Sequence, residues 1–167
     1  MMDNLGYRAM RRDDFDALHE MMSDWGVVRQ LGGWPWPADP DLTRSRCQPY
    51  DGDGFVWAIC VDDRLIGIVG VTRGDLGYAL HPSFHGRGII SRASSRAVAR
   101  AFRSSDRDHL TASTWHDNPT SRHLLAKLGF RHWQTRFLHA RARGLPTVVH
   151  HHRLTRADRD RLRSTAQ

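Results

Sequence analysis

The sequence is poor in cysteine and in long apolar runs. Two cysteines among 167 residues, Cys47 and Cys60, are too few for the disulfide framework of a small secreted protein. No apolar run approaches the roughly 20 residues that cross a membrane, and Met1 leads into polar Asp3 and Asn4 rather than into a basic and apolar signal segment. We therefore expect a cytoplasmic protein without a membrane partner, stabilised by its hydrophobic core alone.

Lysine is almost absent, although the chain is strongly basic. The formal net charge is +7, and Lys127 is the only lysine, so arginine carries almost all of the positive charge. Arg92, Arg96, Arg100 and Arg103 recur at helical spacing, as on the solvated face of an amphipathic helix. No motif of a nucleic-acid-binding fold accompanies them. We expect no nucleic-acid partner, and an arginine-rich nucleic-acid binder is the weakest alternative.

Histidine is frequent, but its pattern argues against a metal centre. Of 11 histidines, His150, His151 and His152 are consecutive in a predicted strand. Successive strand residues face opposite ways, so only His150 and His152 share a face. Two ligands without a nearby carboxylate or cysteine make a poor zinc site. We predict no metal.

The order of predicted elements favours one mixed α/β domain over residues 1–167. The length suffices for a single core, and neither an internal repeat nor a composition shift marks a linker. The first helix is predicted to carry Phe15, Leu18, Met22 and Trp25 on one face, and the charged tail from Thr155 is predicted to fray. Strands are predicted at residues 6–10, 55–61, 65–72, 76–81, 110–115, 130–140 and 147–154. Four helices are predicted: one that begins after residue 13, one over residues 41–48, one that follows the strand at 76–81 and ends at about residue 104, and one that begins after residue 118.

A glycine-containing turn between a strand and a long helix is the most informative feature. The strand over residues 76–81 breaks at Pro82, and the chain passes through Gly86 and Gly88 before the helix begins. Glycine permits backbone angles and close approaches that a Cβ would block, and a helix start offers unpaired N–H groups. The segment predicts a phosphate site built from backbone. Its spacing fits neither a Rossmann glycine motif nor a P-loop.

A second segment predicts a short helix with defined ends. Asn118 is a suitable cap, Pro119 suits the first turn, and Gly129 suits the C-terminal stop. The two segments together resemble the GNAT superfamily of acyl-CoA-dependent N-acetyltransferases, most closely its RimJ/RimL-like branch. The matched patterns are Q/R-x-x-G-x-G/A over residues 83–88, where Ser83 departs from the usual Gln or Arg, and N-x-x-S...K-L-G-F over residues 118–130.

The resemblance implies a fold and a cofactor. The fold would be an α/β acyl-CoA N-acyltransferase fold, whose central, mostly antiparallel sheet has splayed strands and carries helices on both faces. Acetyl-CoA would place its pantetheine between the strand ending near Pro82 and the strand ending near Trp115. The residues implied to contact the cofactor are Leu80, Phe84, His85, Gly86, Arg87, Gly88, Ile89, Ile90, Asn118 and Arg122.

The resemblance also implies direct acetyl transfer to a primary amine. Many GNAT enzymes have a tyrosine as general acid where this chain has Leu125. We therefore predict that Ser121 donates a hydrogen bond to the departing thiolate. The alternative role of the Ser121 hydroxyl is a local hydrogen bond to the backbone at the start of its own helix. Asp75 is the candidate base, since many relatives have a glutamate there. His116 competes with it because an imidazole is a common proton acceptor in enzymes that work near neutral pH. Solvent suffices if the acceptor is a peptide N-terminus.

The acceptor side is the least determined part of the sequence. Trp34 and Trp36 lie in the loop that, by the resemblance, covers the acceptor, and packing of that irregular loop is the alternative role for both. The acceptor is either a protein N-terminus or a small molecule. A catalytically inactive acyl-CoA-binding module is the alternative function. Relatives are monomers or dimers, so a homodimer stays open.

Overall fold

A seven-stranded sheet runs through residues 4–165, the part of the chain that the computed structural model describes. The strands are β1 (Leu5–Ala9), β2 (Gly54–Val61), β3 (Arg64–Thr72), β4 (Asp75–Leu80), β5 (His109–Trp115), β6 (Arg131–Ala140) and β7 (Leu145–Thr155). Their order in the sheet is β1-β2-β3-β4-β5-β7-β6, and within these residues only β4 and β5 run parallel. The predicted mixed, mostly antiparallel sheet is confirmed.

Helices cover both faces of the sheet, as predicted. They are α1 (Phe15–Met22), α2 (Trp25–Val28), α3 (Pro40–Arg46), α4 (Ile89–Ser104), α5 (Pro119–Lys127) and α6 (Arg156–Thr165). Within residues 4–165, none of them is both long and apolar enough to cross a lipid bilayer.

Alternation along the strands produces two apolar faces. On one, which we call the α4 face, Leu76 and Leu80 of β4 pack with Ala93 of α4 and Leu125 of α5. On the other, the α1 face, Ala79 of β4 belongs to the core that contains Leu18, Met21 and Met22 of α1. Odd-numbered and even-numbered residues of β4 therefore lie on opposite sides of the sheet.

The prediction that Trp25 shares one helix face with Phe15 was wrong. α1 ends at Met22, and Trp25 begins α2. Asp24 causes the break, because its side chain accepts a hydrogen bond from the N–H of Val27 at 3.0 Å and so caps a new helix. Apolar periodicity can thus continue across an interruption that a capping residue imposes.

The charged tail forms α6 instead of fraying. The guanidinium of Arg156 donates to the carbonyls of Phe102, Ser105 and Arg107 at 2.9, 2.8 and 3.1 Å. The Thr155 hydroxyl accepts from the N–H of Asp158 at 3.0 Å, which caps the first turn. These contacts join the tail to the end of α4 and offset its low hydrophobicity. The predicted domain limits at residues 1–3 and 166–167 lie outside the described part of the chain.

Candidate active site

β4 and β5 are paired at one end and leave a gap at the other. Their parallel register has two pairs, Asp75 with Thr111 and Leu76 with Ala112. Beyond them β4 stays paired with β3, whereas β5 continues along β7. The two strands therefore separate toward their carboxyl ends.

The backbone of Leu80 faces this gap. The N–H of His81 donates to the carbonyl of Ile66 in β3 at 2.8 Å. Because successive residues of a strand direct their N–H and carbonyl groups to alternate edges, Leu80 directs its own groups away from β3. The Leu80 carbonyl accepts from His85 Nε2 at 2.9 Å. The Leu80 N–H thus points into the open part of the gap.

The turn between β4 and α4 needs its glycines. Gly86 and Gly88 have φ angles of 73° and 69°, in the left-handed region that side chains disfavour. Within residues 4–165, nothing beyond their chain neighbours lies within 4 Å of a Cβ placed on either glycine. Gly88 is the N-cap of α4, a helix of 16 residues, and brings no side chain to its first turn. The first N–H groups of α4 therefore stay available to an anion.

The side chains of this turn are placed unequally. Ile89 is buried in the core with 1% of its surface exposed, so only its backbone can contact a ligand. Ile90 is half-buried against the same core. Arg87 is exposed; its guanidinium lies 5.3 Å from the centre of the Phe84 ring and donates to the carbonyl of Ser83 at 2.9 Å. Arg87 is held over the turn by these contacts.

Ser121 lies across the gap from Tyr78 of β4. Asn118 caps α5 by accepting from the N–H of Ser121 at 3.1 Å, and the Ser121 Oγ lies 2.5 Å from the Tyr78 hydroxyl. The hydroxyl of Ser121 thus bonds across the gap rather than to its own helix start. Burial raises the pKa of Tyr78, and the bond to Ser121 opposes that rise, so Tyr78 keeps its proton at neutral pH.

The sequence analysis missed Tyr78. Its available signal was the period of two along the predicted strand, which puts Tyr78 on the same side of β4 as Leu80. Leu125, where relatives have a tyrosine, is fully buried in the core and offers no polar group. Arg122, the neighbour of Ser121, is exposed on α5.

The two candidate bases lie on opposite faces of the sheet. Asp75 shares the side of Ala79, on the α1 face, whereas His116 shares that of Ala112, on the α4 face. The Thr111 hydroxyl donates to Asp75 at 2.7 Å. Asp75 retains solvent-accessible area, yet the protein atoms packed around its carboxyl raise its pKa, and the bond from Thr111 opposes the rise. His116 is exposed, and its N–H continues the ladder to β7.

A cavity of about 560 Å³ opens on the α1 face next to β4. Gly77, Tyr78 and Ala79 form part of its wall, and nothing stands within 4 Å of a Cβ on Gly77 among the described residues. Of the two tryptophans predicted to contact the acceptor, Trp34 lines this cavity. Trp36 does not, because its ring packs against Trp25 at 5.4 Å.

An ion-paired aspartate follows β5 and was not singled out from the sequence. Asp117 accepts two hydrogen bonds from Arg143, at 2.9 and 2.8 Å, and one from Arg29 at 2.5 Å. The Arg143 bonds, followed by that of Arg29, lower the pKa of Asp117 to about 2 against some desolvation. Asp117 directly precedes Asn118, the cap of α5. Its bonds therefore connect the start of α5 to the β6–β7 turn and to the end of α2.

The histidines of β7 pack as alternation predicted. His150 and His152 both contact His132 on β6, with ring centres 5.6 and 6.0 Å apart. His152 is buried, and desolvation lowers its pKa to about 4. Within residues 4–165, no three His, Cys, Asp or Glu side chains are arranged to hold a metal ion.

Comparison with known proteins assigns this architecture. Residues 4–131 match the acetyltransferase (GNAT) domain family, which is more than half of the chain. The chain belongs to the GNAT acetyltransferase family. The matched range contains β4, the glycine turn, α4, β5 and α5, so the whole gap lies inside it. A sequence comparison with curated proteins finds no significant match.

Solved structures of acetyltransferases share the fold at low identity. Spermidine N-acetyltransferase from Vibrio cholerae, in complex with CoA and spermine, is 16% identical with a TM-score of 0.78 over 94% of this chain and 98% of that one. RimJ from Mycobacterium smegmatis is 17% identical with a TM-score of 0.77, over 97% and 89%. RimL, a ribosomal alpha-N-protein acetyltransferase, is 19% identical with a TM-score of 0.75, over 91% and 94%.

Proposed function

We propose that the protein is an acetyl-CoA-dependent N-acetyltransferase that acetylates a primary amine by direct attack within a ternary complex. The observation that carries this proposal is the gap between β4 and β5, which opens next to the glycine turn and the uncapped start of α4. A diphosphate bound at that turn leaves its attached chain beside an unpaired strand edge. Membership in the GNAT acetyltransferase family supports acyl transfer as the chemistry of the gap.

The cofactor fits the groups that the chain presents. The N–H groups of Gly88, Ile89 and Ile90 and the guanidinium of Arg87 suit a pyrophosphate, since backbone donors at a helix start favour anions. The N–H of Leu80 suits an amide carbonyl of pantetheine. Residues 84–86, Asn118 and Arg122 complete the proposed contacts. Coenzyme A is bound in the RimL and spermidine N-acetyltransferase structures that share the fold, and CoA-disulfide is bound in the RimJ structure, which supports the same class of donor here.

Ser121 and Tyr78 are placed to serve the leaving group. When the amine nitrogen attacks the thioester carbonyl, the carbon–sulfur bond breaks and the sulfur needs a hydrogen bond or a proton. The Ser121 hydroxyl can supply it and draw a replacement from Tyr78, whose hydroxyl lies 2.5 Å away. We propose this pair in the role that Leu125 cannot fill.

The amine must lose a proton as it attacks. Asp75 is the proposed base, because it lies on the same face as the 560 Å³ cavity from which an acceptor reaches β4. It acts through water, because an aspartate reaches less far than the glutamate that many relatives have at this position. His116, on the opposite face, is the competing base, and solvent serves if the acceptor amine is itself weakly basic.

An assay of thiol release separates this proposal from its rival. Acetyl-CoA is incubated with the protein and a panel of peptides and small primary amines, and free thiol is measured. We expect amine-dependent release together with an acetylated product by mass spectrometry. Binding of acetyl-CoA by calorimetry without turnover on any amine would favour a catalytically inactive acyl-CoA-binding module.

A further inference from the structure

We infer that the acceptor carries a negatively charged group, a carboxylate or a phosphate, in addition to its amine. The inference rests on the proposed function and concerns the 560 Å³ cavity on the α1 face. Three charged residues line it: Arg46 at the end of α3, Arg73 in the β3–β4 turn, and Asp51 between α3 and β2. The cavity therefore has an excess of positive charge.

The two arginines have no ionic partner of their own. Within residues 4–165, neither the Arg46 nor the Arg73 guanidinium forms an ion pair or a hydrogen bond. Neighbouring arginines do: Arg44 pairs with Asp41 at 2.8 Å, and Arg107 pairs with Asp53. An unpaired guanidinium offers several N–H donors to one anion, and it binds carboxylate or phosphate with two hydrogen bonds at once.

Charged and apolar residues both line the cavity. The N–H of Arg73 donates to the carbonyl of Asp53 at 2.8 Å, so the β3–β4 turn is joined to the segment that follows α3. Leu18, Leu31 and Trp34 line the cavity as apolar surface. An acceptor with its amine at Gly77 and its anion at the arginines would cover that apolar surface with its body.

The same charges disfavour a polyamine. A second ammonium group placed in the cavity would face two guanidiniums and a single carboxylate, and like charges close together repel. The acceptor class thus differs from the spermidine named for one structural neighbour.

Matched acceptors test the inference. One set contains dipeptide amides with serine first and aspartate, asparagine or lysine second; the other contains β-alanine and β-alanine amide. We expect the anionic member of a set to have a kcat/KM about tenfold above the neutral member, and the lysine peptide to be poorest. The set that shows the effect tells whether the acceptor is a peptide or a free small molecule. Equal or higher kcat/KM for neutral or cationic members of both sets would overturn the inference.

Variants locate the preference. Arg46→Gln and Arg73→Gln should raise the KM of the anionic acceptor and leave that of the neutral one unchanged, whereas Arg44→Gln, on the same helix, should change neither. The double variant Arg46→Glu with Arg73→Glu should favour the lysine peptide. An anion preference that survives both substitutions to glutamine would contradict the assignment to these arginines.

Failure of the inference and failure of the proposed function are distinguishable. If no amine is acetylated although acetyl-CoA binds, the proposed function fails. Calorimetry of the same acceptors with protein saturated by CoA then decides the inference: tighter binding of the anionic member, lost in Arg73→Gln, supports it, and equal binding within both sets refutes it.

Discussion

Replacing Asp117 by Asn should destabilise the protein by about 2 kcal/mol at pH 7. Asp117 has a pKa of about 2 in the folded state against an ordinary 3.8, and each pKa unit corresponds to about 1.4 kcal/mol. About a quarter of its side chain is exposed, at 26%, so most of this energy should survive solvent screening. For a chain of this size the loss corresponds to a fall of about 4–8 °C in Tm.

Urea denaturation at two pH values tests the argument. Because the folded-state pKa is lowered, the stabilisation is present above about pH 4 and is lost as pH falls toward 2. The difference between the native protein and Asp117→Asn should therefore be full at pH 7 and reduced at pH 3. Asp41→Asn is the control, since Asp41 pairs with Arg44 at the surface with 92% of its side chain exposed. Equal midpoints for Asp117→Asn and the native protein at pH 7 would refute the reasoning.

Three further predictions address the proposed site. Gly86→Val should strongly raise the dissociation constant of acetyl-CoA in calorimetry, whereas Gly144→Val, at an equally open turn glycine with φ of 69°, should not; unchanged affinity in Gly86→Val would remove the phosphate assignment. Ser121→Ala should lower kcat about tenfold or more with little change in cofactor affinity, and an equal rate would exclude Ser121 as the acid. In pH-rate profiles, Asp75→Asn should abolish the fall in rate toward acid pH, because Asp75 must be ionised to act as a base and burial raises its pKa. If only His116→Ala shifts the profile, His116 is the base. If neither variant shifts it, solvent is the base.

Most secondary structure was predictable because it depends on near neighbours. The β2–β3 hairpin follows from two β-rich runs that flank Asp62 and Asp63, and both of these turn residues have a positive φ. The two ends of α5 follow from Asn118 and Gly129. α6 was not predicted, because it is held by the bonds that Arg156 makes to the end of α4 and to the loop after α4. These partners lie 49 to 54 residues earlier in the chain.

The candidate site was predicted less evenly. The glycine turn follows from Gly86 and Gly88, which both have a positive φ, whereas the gap was expected only because the sequence resembles GNAT enzymes. The face on which a candidate base lies needed the register of β4 against β5. Trp36 was predicted to contact the acceptor because it lies in the same loop as Trp34. Its ring packs on Trp25 instead, and the loop sequence alone does not reveal that contact.

The sequence by itself determined the seven strands in their chain order, the turn at Gly86 and Gly88, and the capped start of α5, because glycine angles, capping bonds and alternation depend on a few adjacent residues. Only the tertiary structure decided that Tyr78 reaches Ser121, 43 residues away, and that Asp117 joins Arg29 and Arg143, 88 and 26 residues away. Such pairs form when packing of the whole sheet brings distant side chains together, and no local preference encodes them.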